Sequence, residues 1–107
     1  MNLRDCISLK SLPNCSSLKS LRALILSGCS ELKNLPEISC TVEVLLLDGT
    51  AIEELPPWIE SLSRLIILDL ENCSRLESLP SSISKLKSLE QLNISGCSIS
   101  KHCVLIV

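Results

Sequence analysis

The side chains best suited to chemistry are seven cysteines (Cys6, Cys15, Cys29, Cys40, Cys73, Cys97 and Cys103) and one histidine, His102. Cys97, His102 and Cys103 lie close enough in sequence to suggest a metal site. However, no Cys-x-x-Cys pair accompanies them, and a tetrahedral zinc site needs a fourth ligand. Free thiols are therefore the expectation. A Cys–His nucleophile pair fares no better, since the imidazole must be oriented within hydrogen-bond reach of the thiol, and adjacent tail residues supply no such frame. No constellation meets the geometric requirements of an active site. The chain is expected to be no enzyme, with no catalytic residue, no cofactor, no metal and no small-molecule substrate.

The same residues bear on compartment. An odd cysteine count without paired spacing makes a poor disulfide framework, and reduced thiols point to the cytoplasm, or the nucleus. Three acceptor triplets for N-glycosylation pull the other way: Asn14-Cys-Ser, Asn72-Cys-Ser and Asn93-Ile-Ser. Serine occupies 19 positions, so such triplets arise readily. Met1-Asn-Leu-Arg-Asp5 shows no basic region leading into an apolar one, so no secretory signal is expected.

The elements that position these residues must be unusual. Of 107 residues 46% are apolar, yet Trp58 is the sole aromatic, while leucine fills 23 positions. Such apolar content excludes disorder. No run approaches the roughly 20 apolar residues of a spanning helix, so no membrane association is expected. A net charge of −2, from 10 basic and 12 acidic residues, gives no electrostatic reason to expect nucleic acid. The length suits one domain, and its core must be packed with Leu, Ile and Cys.

Internal repetition resolves that composition. Leu21-Arg-Ala-Leu24-Ile-Leu26-Ser-Gly-Cys29-Ser-Glu-Leu32-Lys-Asn-Leu35-Pro36 matches the stretch Leu65 to Pro80 position for position. Val42 to Pro56 is a further copy, one residue shorter after Thr50. Leu89 to Cys97 is another, and Leu3 to Pro13 is the second half of one more. In chain order there are thus five copies, the first partial and the last losing the pattern. The equivalent residues Leu3, Leu26, Leu47, Leu70 and Ile94 are 23, 21, 23 and 24 positions apart. This is the spacing of a leucine-rich repeat.

Physical consequences follow from the pattern. Alternation in Leu24-Ile25-Leu26 and its equivalents predicts a short strand with two side chains inward and one outward. Cys29, Thr50, Cys73 and Cys97 fall where the chain turns inward, a corner that suits a small, weakly polar side chain. Leu32, Ile52 and Leu76 continue the inward ladder, and Pro36, Pro56 and Pro80 end each extended segment. Apolar residues three apart after Pro80 allow one helical turn on the convex side. There Trp58 either forms a contact hot spot for a partner or fills space beside Ile59 and Leu62, the reading its large apolar area favours. Cys15 and Cys40 are expected to be incidental packing residues. The reading is an α/β fold: a short, right-handed leucine-rich-repeat solenoid of about four coils with a parallel concave sheet. Residues 1–99 would form the repeats and 100–107 a degenerate tail. Since neither end carries a polar cap, the solenoid is expected to be incomplete, an excerpt of a longer one or a truncated gene product, and marginally stable alone.

Solenoids bind with the outward strand positions. Stacking the copies sets Ala23, Val44, Ile67 and Gln91 in one column, and Ile25, Leu46, Asp69 and Asn93 in the next. Ser27, Asp48, Glu71 and Ser95 form a third. The middle copies therefore present an apolar cluster of Ala23, Ile25, Val44, Leu46 and Ile67, bordered by Asp48, Asp69 and Glu71. An exposed apolar patch with a charged rim suggests a protein interface. Glu53-Glu54 and the scattered basic residues read as solvated surface.

Several phrases resemble the leucine-rich-repeat region of plant nucleotide-binding disease resistance receptors, especially those with a TIR signalling domain. They are Leu24-Ile-Leu-Ser-Gly-Cys-Ser-Glu-Leu32, Leu46-Leu-Asp-Gly-Thr-Ala-Ile-Glu-Glu-Leu-Pro56, Leu79-Pro-Ser-Ser-Ile83 and Leu92-Asn-Ile-Ser-Gly-Cys97. The resemblance spans roughly residues 2 to 99. It implies repeats that sense a pathogen effector or a guarded host protein, and that hold the rest of the receptor chain inactive until then. No Gly-x-x-x-x-Gly-Lys-Ser/Thr occurs, so nucleotide binding does not carry over to these residues. The alternatives are a generic scaffold or cell-surface repeat protein, and a truncated product without independent function.

Overall fold

The computed structural model describes residues 1–98. Four three-residue strands form one parallel sheet in chain order: β1 (Ala23–Ile25), β2 (Val44–Leu46), β3 (Ile67–Asp69) and β4 (Gln91–Asn93). A parallel bridge between Asn2 and Ile25 brings the first copy to the sheet edge. Leu24, Leu45, Leu68 and Leu92 pair across the sheet, so equivalent positions in successive copies are direct neighbours. This is the short leucine-rich-repeat solenoid with a parallel sheet that the repeat spacing predicts.

Each strand is short because the chain must turn at once into its corner. Asp5, Gly28, Gly49, Asn72 and Gly96 occupy that corner with φ between 60° and 80°. Glycine enters this left-handed region without penalty, and Asp and Asn are the side-chain-bearing residues that visit it most readily. The ladder continues through the turn. Gly28 N–H donates to the Asp48 carbonyl at 2.8 Å, Gly49 to Glu71 at 2.9 Å and Asn72 to Ser95 at 2.7 Å.

Inward side chains supply the core. Leu24, Leu26 and Leu32, then Leu45, Leu47 and Ile52, then Leu68, Leu70 and Leu76 are essentially inaccessible to solvent. Each such side chain contributes about 1.5–3 kcal/mol of burial. Their counterparts Leu3, Leu9, Leu92 and Ile94 are only half-buried, because the described coils cover them from one side.

The convex side holds two different solutions. Pro57–Ser61 and Ser81–Lys85 are 3-10 turns, each entered from an extended proline, Pro56 or Pro80. The helical turn expected after Pro80 is thus of the tighter kind. Ile59 and Leu62 are fully buried, and Trp58 packs half-buried against the same core. It fills convex-side space, as its apolar area suggests. In the earlier copies a parallel bridge pairs Cys15 with Ile38 instead. The segment lengths differ: the bridged first copy advances nine positions from Leu12 to Leu21, and the fourth, which holds a turn, ten from Leu79 to Leu89. The second copy advances seven positions from Leu35 to Val42, whereas the third advances ten from Leu55 to Leu65. Cys15 is buried at that bridge, but Cys40 is exposed on the shortened connection, contrary to the packing role expected of it.

Candidate functional site

The pairing register assembles the outward columns. Ala23 pairs with Val44, Val44 with Ile67 and Ile67 with Gln91; Ile25 pairs with Leu46, Leu46 with Asp69 and Asp69 with Asn93. Asn2, opposite Ile25, extends the second column by one copy. Ala23, Ile25, Val44, Leu46 and Ile67 are half-buried, since on a sheet with strands about 4.8 Å apart each covers part of its neighbours. Asp48, Asp69 and Asn93 are also half-buried, whereas Glu71 and Gln91 are exposed. A shallow depression of about 430 Å³ runs between β3 and β4, lined by Ile67, Asp69, Glu90, Gln91 and Asn93 among others.

Two rims flank this face and differ in charge balance. On the edge where the chain enters the strands, Arg22 pairs with Glu43 at 3.2 Å, and Arg64 and Lys87 share a depression with Glu43 and Glu90. On the edge where it leaves, Asp48, Asp69 and Glu71 cluster without a cationic partner among the described residues. Local hydrogen bonds fix two of these carboxylates. Ser27 Oγ donates to Asp48 Oδ1 at 2.5 Å, and Glu71 N–H donates to Asp69 Oδ1 at 2.9 Å. The Asp69 arrangement recurs in other copies. Arg4 N–H donates to Asn2 Oδ1 and Ser95 N–H to Asn93 Oδ1, both at 3.0 Å. An Asp or Asn in this column therefore caps the strand end through its side chain.

Three of the thiols serve the fold. Cys29, Cys73 and Cys97 donate to the carbonyls of Leu3, Leu47 and Leu70 in the preceding copy, at 3.1, 2.9 and 3.0 Å. Burial pushes all three up from the ordinary thiol value, which keeps the proton these bonds need. Among the described residues every cysteine is free, and no metal-holding cluster forms. His102 and Cys103, the other members of the suggested metal site, lie outside the described residues, as does the rest of the tail.

The repeated register, the left-handed corner and the cross-copy thiols all describe one unit stacked several times. A family model of the leucine-rich repeat region matches residues 3–104. The chain belongs to the leucine-rich-repeat family. Disease resistance protein RPS4B of Arabidopsis thaliana is 44% identical over 102 residues, 95% of this chain and 9% of that protein. Disease resistance protein RPS6 of the same plant is 45% identical over 97 residues, 91% of this chain and 9% of that protein. Disease resistance protein RPP2B, also from Arabidopsis, reaches 55% identity over 74 residues, 69% of this chain and 6% of that protein. This chain therefore spans less than a tenth of these relatives' length. They are the class of plant protein that the resemblance implied. Among the described residues no helix is long and apolar enough to cross a membrane.

Within the repeats, sequence reasoning missed three features of the face. Asn2 belongs to the outward column, Ser27 is spent on Asp48 and buried, and Arg22 balances Glu43. The recurrence of Asn2-Leu-Arg4, Asp69-Leu-Glu71 and Asn93-Ile-Ser95 was the available signal for the side-chain caps. It also explains the glycosylation-like triplets. Asn14 and Asn93 each accept the amide two residues on, and Asn72 takes the left-handed corner.

Proposed function

We propose that this chain is a non-catalytic protein-recognition module, the repeat part of a plant immune receptor, which contacts its partner through the concave sheet. The partner would be a pathogen effector, a guarded host protein or the remainder of its own receptor chain. The observation that carries the reading is the contiguous patch Ala23, Ile25, Val44, Leu46 and Ile67, bounded by unpaired Asp48, Asp69 and Glu71. Similarity to disease resistance proteins supplies the biological setting. The mechanism is a shift in population. Concave contacts favour one conformation of an attached switch, and a competing partner favours another in proportion to its differential affinity. A cytoplasmic or nuclear location belongs to the same reading.

The test is the double substitution Ile25→Asp and Leu46→Asp in the intact receptor. Aspartate already stands beside Leu46 in the same column, at Asp69, so the strands accommodate it. Loss of partner binding, or cell death without a pathogen, is the expected result. If partner binding and autoinhibition both persist, the reading is wrong.

A further inference from the structure

The charge imbalance on the concave face specifies the chemistry of its occupant. Resting on the concave-face reading above, we propose that the sheet takes a basic segment of a partner protein. Its arginine or lysine sits among Asp48, Asp69 and Glu71, and an adjacent aliphatic side chain sits on Leu46. Asp48 and Glu71 occupy the same column in neighbouring copies, held in line by the Gly49 N–H bond to the Glu71 carbonyl. Like charges placed side by side on a sheet repel. The only ion pairs among the described residues, Arg22–Glu43 and Lys85–Glu60, lie elsewhere. Arg4, in the column of Asp48, stands two copies away, about 10 Å at 4.8 Å per strand.

The cluster is also preorganised. Asp48 and Asp69 each have one oxygen engaged by the fold, and no other hydrogen bond among the described residues reaches the second. Fixed carboxylates with a free oxygen suit a guanidinium, whose fork of N–H groups meets carboxylates in plane. Leu46 lies directly beside Asp69 in the register and two residues before Asp48. One basic residue and one aliphatic neighbour can therefore be satisfied together. An acidic partner meets repulsion here, and a purely aliphatic one leaves the carboxylates to be desolvated without compensation.

The experiment is selection of a random peptide library on the 107-residue chain, followed by Kd measurement against three variants: Asp48→Asn with Asp69→Asn, Leu46→Asn, and all three together. The first removes charge while keeping the acceptor oxygens, and Asn93 already performs the Asp69 role in its own copy. Leu46→Asn removes the anchor, with Asn2 and Asn93 as precedents in that column. Expected is a consensus of Arg or Lys within three residues of Leu, Ile or Val. Binding should weaken at least tenfold in the Asp48→Asn/Asp69→Asn variant and severalfold between 50 and 500 mM salt, roughly as screening predicts. Binders that lack a basic residue yet depend on Leu46 overturn this proposal and leave the concave-face reading standing. Basic binders indifferent to Leu46→Asn overturn the paired anchor proposed here, and binders indifferent to all three variants overturn both readings.

Discussion

Cys73 Sγ lies 2.9 Å from the carbonyl oxygen of Leu47, one copy earlier, and Thr50 Oγ1 donates to the same oxygen at 2.8 Å. Thr50 is the corner residue of its own copy, as Cys73 is of the next, so two different side chains converge on one backbone acceptor. The shared requirement is a small side chain with one donor.

A pH prediction follows from the buried thiols. Cys29, Cys73 and Cys97 have pKa values raised above 9.0 by burial, so the unfolded chain releases these protons at lower pH than the folded chain does. Their contribution is therefore full below about pH 9 and is lost as pH rises through the folded values. Urea midpoints should fall between pH 8 and pH 10.5. Cys73→Thr, which copies the corner residue Thr50, should show a smaller fall than the parent chain. An equal fall in both would mean that Cys73 does not titrate on unfolding.

The corner column yields a coupling prediction. At Gly28 a Cβ would collide with the Asp5 carboxylate, whose side chain leans over it, and φ there is 80°. Gly28→Ala should cost about 1–2 kcal/mol from the left-handed backbone alone, plus the clash. Asp5→Gly relieves the clash, leaving the Asp5 Cα at 3.4 Å, an ordinary contact. A double-mutant cycle by urea denaturation should give a coupling of at least about 0.5 kcal/mol. Additivity would show that the two side chains do not meet.

Much of this was legible in the sequence because period and register are the same information. Once Leu24, Leu45, Leu68 and Leu92 are equivalent, parallel stacking sets every outward column, and the structure pairs Leu46 with Asp69 as the alignment requires. Three things escaped. Whether Asp69 faces solvent freely or bonds its own backbone depends on a rotamer, which spacing does not encode. The bridge of Cys15 with Ile38 falls on the two shorter convex segments, a difference visible only beside the 3-10 turns. Charge balance between the rims depends on which long side chains reach each other, and Arg22 reaches Glu43 while Arg4 reaches neither Asp48 nor Glu71.

Burial depth should grade the leucine ladder. Leu68 is fully buried between copies, and Leu92 is half-buried in the last described strand. Leu68→Ala should cost about 2–5 kcal/mol, as buried truncations do, a large share of the roughly 5–15 kcal/mol typical of a small domain. Leu92→Ala should cost roughly half as much, since part of its surface is already solvated. Equal costs would indicate that Leu92 is covered as completely as Leu68.

Asp69 carries two roles that substitution can separate. Its Oδ1 accepts the Glu71 amide at the end of β3, and its charge belongs to the unpaired rim. Asp69→Asn keeps the acceptor, in the manner of Asn2 and Asn93, and removes the charge. It also relieves repulsion with Asp48 and Glu71, so stability should be unchanged or slightly higher, most visibly at low salt. Asp69→Ala removes the acceptor as well and should cost about 0.5–1.5 kcal/mol, the usual net worth of one hydrogen bond. The difference between the two variants, read by urea denaturation, isolates the cap. If Asn destabilises as much as Ala, the carboxylate charge itself supports the fold, and the rim cannot be held for a partner alone.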